Sequence, residues 1–118
     1  MTIEALIYAA LAPLVDGRVY PDVAEEGSAL PRIVYQEVGG NGLAFTEGTL
    51  PDHEGCRMQV VAWGEQRLAV TALAKQIKEA LMAVPELQVE PLGGRTSVHE
   101  PDTGLRGSRQ DFSIWAPR

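Results

Sequence analysis

Cys56-Arg57-Met58-Gln59-Val60-Val61-Ala62-Trp63 is the stretch on which the fold turns. Strand side chains alternate between two faces, so Cys56, Met58, Val60 and Ala62 share one side, and Arg57, Gln59, Val61 and Trp63 share the other. One side is wholly apolar and the other mixed, the mark of a strand with only one face buried. Gly64-Glu65 ends the alternation, and over residues 66–83 the period becomes helical. Ala69, Ala72, Leu73, Gln76, Ile77, Ala80, Leu81 and Val84 form the stripe, and Pro85 stops it.

Outward from this pair, residues 2–14 predict a first helix. Thr2 is its N-cap and Glu4 lies in its first turn, where the helix dipole favours an acid. Ile3, Leu6, Ile7, Ala10, Leu11 and Leu14 make its buried stripe, and Asp16-Gly17 ends it. Residues 18–20 predict a short strand and residues 21–31 a loop with a polar tip at Glu25-Glu26-Gly27-Ser28. Residues 32–38 predict a strand with Ile33, Tyr35 and Glu37 on one side. Gly39-Gly40-Asn41-Gly42 supplies a turn, residues 43–46 a return strand and residues 47–55 a second loop. Beyond the second helix, residues 87–92 and 110–116 predict strands. Residues 93–107, rich in glycine and without apolar period, read as a long mobile hairpin or arm. The whole predicts one domain over residues 1–118, of α+β class, with an antiparallel β-sheet and both helices packed on one of its faces.

Composition narrows the function. The net charge of −6 disfavours a grip on a phosphate backbone, which needs clustered Lys and Arg. No stretch is apolar for long enough to cross a bilayer, and Met1-Thr2-Ile3-Glu4 lacks the basic flank of a signal peptide. The single cysteine, Cys56, excludes an internal disulfide and fits a reducing compartment, so the expected address is the cytoplasm.

No catalytic, metal-binding or cofactor-binding set emerges. His53 lies three residues before Cys56, but Cys56 shares its strand face with Met58, Val60 and Ala62, which favours a small core residue over a nucleophile. His99 is the only other histidine, too few ligands for a tetrahedral zinc site. Glu25, Glu26, Glu47, Asp52, Glu54 and Asp102 fall in predicted loops and read as solvated carboxylates. Neither glycine run opens a helix behind a parallel strand, so the phosphate-binding fingerprints fail. Trp63 and Trp115 each end a strand on its polar side, and with Arg57, Arg95, His99 and Arg106 they make the candidate interface.

Three stretches taken in order carry a resemblance: Leu30-Pro31-Arg32-Ile33-Val34-Tyr35-Gln36-Glu37-Val38-Gly39-Gly40, Arg57-Met58-Gln59-Val60-Val61-Ala62-Trp63 and Asp111-Phe112-Ser113-Ile114-Trp115-Ala116. With a helix before them and another after Trp63, the chain resembles the phage and prophage tail-completion proteins, also described as head–tail joining or minor tail proteins. Cys56 and His53-Glu54-Gly55 depart from that pattern. The resemblance implies a structural protein similar in fold to tail terminators, with no catalytic residue and no cofactor. Its implied partners are copies of itself in a ring, the tail tube protein and the head connector protein, with DNA only as passing cargo and no membrane. Host cytoplasm during assembly and then the virion tail are the implied locations. An acidic lumen wall, with Glu25 and Glu26 as its loop acids, would let DNA pass without holding it. A monomeric adaptor on the connector is the alternative, and a small hydrolase using Cys56 and His53 comes third.

Overall fold

The computed structural model describes residues 2–39 and 53–117. The expected return strand at 43–46 and most of the turn before it lie outside the described residues. Gly39, at the start of that turn, has φ +94°, a region that glycine enters freely.

Helix α1 is Ile3–Leu11, and Thr2 caps it as expected: its side-chain oxygen accepts a hydrogen bond from the Ala5 N–H at 3.0 Å. A turn of 3-10 helix, Ala12–Leu14, follows because Pro13 cannot donate to the α-helical ladder. Strand β1 (Val19–Pro21) leads to a loop, and β2 (Arg32–Glu37) follows. Strand β3 is His53–Gly64, 12 residues long. It begins three residues before Cys56, so His53-Glu54-Gly55 belongs to the strand and not to the expected loop. Helix α2 is Arg67–Met82, then come a 3-10 turn at Pro85–Leu87, β4 (Glu90–His99) and β5 (Arg106–Pro117).

The five strands form one sheet in the order β1-β2-β3-β5-β4. Three of the four pairings are antiparallel; β1 instead lies parallel to β2, with Val19 opposite Ile33, so the sheet is mixed. The α+β class stands. Of the two forms expected for residues 93–107, a long mobile hairpin or an arm, the hairpin is what forms: they are the outer half of a β4–β5 hairpin, joined to the sheet as far as His99 opposite Arg106. Between Leu92 and Thr96 the register shifts, and Gly93-Gly94-Arg95 bulge opposite Gln110. The Gln110 side chain closes the bulge by donating to the Gly93 carbonyl at 2.9 Å.

Both helices cover one face of the sheet. Ile3, Ile7 and Leu11 of α1 and Val70, Leu73, Ile77 and Leu81 of α2 join Ile33, Met58, Val60, Phe112 and Ile114 in one buried cluster. Tyr35 belongs to it too, and its hydroxyl donates to Glu4 Oε1 at 3.0 Å, tying the first turn of α1 to β2. Burial, with the Glu4 carboxylate as the second cause, pushes the Tyr35 phenol up to about 12. The buried line of α2 is rotated from the expected stripe: Val70 and Ala74 are inside, whereas Ala69, Ala72 and Gln76 are exposed.

Candidate protein interface on the open sheet face

No described helix packs on the second face of the sheet, where the two long strands β3 and β5 run antiparallel for about 40 Å at about 3.4 Å per residue. Its residues are the odd-numbered positions of both strands, because the even-numbered ones supply the core. Near one end Trp63 of β3 stands opposite Gly107 of β5; near the other, Trp115 of β5 stands opposite Gly55 of β3. Each ring lies against its glycine. A Cβ on Gly107 would come within 2.9 Å of Trp63 Cζ3, and one on Gly55 within 3.2 Å of Trp115 Cε3. A glycine in a strand leaves a gap in the side-chain layer, and a large ring from the opposite strand fills it. Trp115 is also stacked on His53, with ring centroids 5.8 Å apart and planes 16° apart.

Between the two tryptophans lies a polar centre. Arg57 donates from Nε to Asp111 Oδ2 at 2.8 Å, and its Nη2 lies 2.7 Å from the same oxygen. The Arg57 side chain is half exposed, so the pair adds little to stability and mainly fixes the guanidinium in place. Beside Trp63, a pocket of about 340 Å³ is lined by Val23, Arg32, Val34, Trp63, Glu100 and Leu105 among others. On the helix side, a groove of about 730 Å³ runs between α2 and residues 28–31, lined by Leu30, Pro31, Ala69 and Leu73 among others.

The six expected interface residues thus fall in two places. Trp63, Trp115 and Arg57 share the open face. Arg95 sits on the bulge of β4, while His99 and Arg106 face each other at the outer end of the hairpin, all three exposed. Arg67, at the start of α2, holds that hairpin: its Nη1 donates to the Gly107 carbonyl at 2.8 Å and its Nη2 to the Val98 carbonyl at 3.2 Å. Neither Arg67 nor the two glycines stood out in the sequence, because their partners are about 30 to 60 residues away along the chain.

Cys56 and His53 do not meet. Cys56 is buried in the core, while His53 belongs to the open face against Trp115, so the sheet separates the two. Among the described residues no group of three or more His, Cys, Asp or Glu side chains is placed to hold a metal ion. No described helix is long and apolar enough to cross a membrane.

The family model for tail completion protein gp17 matches residues 4–116. The chain belongs to this family. No curated protein matches it. As a member of a phage tail-completion family it is a component of the virion tail, and the family is a structural one whose members work against other head and tail proteins.

Proposed function

We propose that this tail completion protein closes the tail tube and joins it to the head connector, acting as a ring of identical copies through protein–protein contacts and not by catalysis. One observation carries the reading: the open sheet face, on which Trp63 and Trp115 lie against Gly107 and Gly55 on either side of the Arg57–Asp111 pair. Rigid aromatic side chains lose little entropy on binding and dominate the energetics of interfaces. The chain assembles in the host cytoplasm, residues 1–118 act as one domain, and no cofactor takes part. DNA passes as cargo, and the net charge of −6 keeps it from adhering.

Light scattering over a wide concentration range, with negative-stain images of the same fractions, tests the ring. The expected result is a closed oligomer of several copies. Trp63→Ala with Trp115→Ala should weaken it by roughly a thousandfold, the order of two hot-spot truncations at about 2 kcal/mol each. A monomer at every concentration would replace the ring with an adaptor that binds the connector one copy at a time.

A further inference from the structure

The open sheet face is built from one short pattern used twice. Gly55-Cys56-Arg57-Met58-Gln59-Val60-Val61-Ala62-Trp63 of β3 and Gly107-Ser108-Arg109-Gln110-Asp111-Phe112-Ser113-Ile114-Trp115 of β5 share glycine, arginine and tryptophan at the same places. The register sets the two stretches against each other about their middles: Gly55 is opposite Trp115, Gln59 opposite Asp111 and Trp63 opposite Gly107. Half a turn about an axis through the Gln59–Asp111 pair therefore exchanges the two tryptophans, the two glycines and the two arginines. The symmetry breaks at the centre. Arg57 has a carboxylate, Asp111, whose Oδ2 lies 2.7 Å from its Nη2. The half-turn carries that pair onto Arg109 and Gln59, where an amide stands in place of the acid. Arg109 is exposed, and among the described residues it makes no ion pair and no side-chain hydrogen bond. The acids around it are placed otherwise. Asp111 uses both oxygens, Oδ2 for Arg57 and Oδ1 to accept from Gln59 Nε2 at 3.5 Å. Glu90 stands opposite Ser113, further along β5, and Glu100 and Asp102 belong to the turn beyond Arg106.

We infer that Arg109 receives a carboxylate from the next copy in the ring, in the place that Asp111 fills for Arg57. The inference rests on the ring reading and names the point on the open face where copies recognise each other. Charge identifies the occupant. Each copy carries 16 acidic side chains against 10 basic ones, so a neighbouring copy offers carboxylates to this face. Trp63 lies diagonally across from Arg109, which is opposite Val61, and excludes water from one side of the contact. Duplex DNA fits less well, because Asp111 and Glu90 share the face and would oppose a phosphate backbone. The broken symmetry has a use of its own. A face with two equal halves would accept a partner in either of two directions; an arginine without an acid in one half alone selects one of them. A ring closed head-to-tail needs that choice to be the same at every contact.

Two substitutions act on this point from opposite sides. Arg109→Gln takes the guanidinium away, and Gln59→Asp gives Arg109 a carboxylate from within, placed as Asp111 is for Arg57. Each should lower the association constant on the order of tenfold at low salt, measured by analytical ultracentrifugation, while the circular dichroism spectrum and Tm stay those of the unaltered chain. Gln59→Asn, which brings no charge, should associate normally. Because Arg109→Gln and Gln59→Asp remove the same interaction, the chain carrying both should be no weaker than Arg109→Gln alone. An oligomer indifferent to Arg109→Gln, or losses that add in the double variant, overturns this contact and leaves the ring standing. An unaltered chain that stays monomeric throughout overturns the ring and the contact together. If Arg109→Gln spares the oligomer and abolishes retention on immobilised duplex DNA, the arginine serves nucleic acid and the inference fails.

Discussion

Replacing Gly107 by alanine adds one methyl group at the point where Trp63 lies on the sheet. The new Cβ would sit 2.9 Å from Trp63 Cζ3, 3.0 Å from Cε3 and 3.3 Å from the Ala62 carbonyl oxygen. The carbonyl is part of the β3–β5 ladder and cannot retreat, so the indole must lift off. Forcing an extra methyl into a packed site costs about 1–3 kcal/mol. An unfolding entropy of about 2.1 cal/mol/K per residue gives roughly 250 cal/mol/K for this chain, so about 2 kcal/mol lowers Tm by about 8 °C. The control is Gly94→Ala, where a Cβ meets nothing within 4 Å; it should leave Tm unchanged or slightly raised through a less flexible unfolded chain. Gly55→Ala, with its contact at 3.2 Å to a side chain, should fall between the two. Differential scanning calorimetry of the three variants gives the order. Repeating Gly107→Ala in a Trp63→Ala background should remove most of its cost, since the ring is then gone. An undiminished cost there, or equal effects of Gly107→Ala and Gly94→Ala, would refute the claim that the ring is seated on the glycine.

Thr2→Ala removes the cap of α1 and should cost about 1 kcal/mol in urea unfolding, with no change in assembly. The Cys56 thiol is buried, so it should resist a disulfide reagent in the native protein and react at once in denaturant. Cys56→Ala with His53→Ala should leave virion assembly intact. Tyr35 gives a pH dependence: its folded pKa of about 12 lies above the ordinary 10, so the folded state holds the proton more tightly. Its contribution is complete below pH 10 and is lost as pH rises to about 12. Urea midpoints measured across that range should fall more steeply than those of Tyr35→Phe.

Much of this fold was legible in single elements. The alternation of residues 56–63, the Thr2 cap and the Pro85 stop rest on local periodicity and backbone chemistry, and the structure keeps all three. What was not legible depends on contacts between distant residues. Three residues of β1 show no period, so their parallel pairing with β2 had no local signature. Strand β4 lies at the sheet edge with most of its side chains in solvent and a bulge in its middle, so beyond Leu92 it lacks the alternation that marks a half-buried strand, and its sequence does not distinguish a paired hairpin from a free arm. On α2, alanines fit a buried or an exposed line equally, and only packing on β3 and β5 decided that Val70 and Ala74 turn inward while Ala69 and Ala72 line a groove. At the candidate interface the tryptophans were recognisable by type and position. The glycines beneath them, and the link from Arg57 to Asp111, exist only once β3 and β5 are in register.

Electron micrographs of particles made by a phage lacking this chain test the central claim most directly. Finished heads and tails should remain apart, with tails of irregular length or with open head-proximal ends, and joined virions should appear once the unaltered chain is supplied. A folded Trp63→Ala/Trp115→Ala chain should not restore them. Joined, infectious virions in the absence of the chain would contradict its role in tail completion.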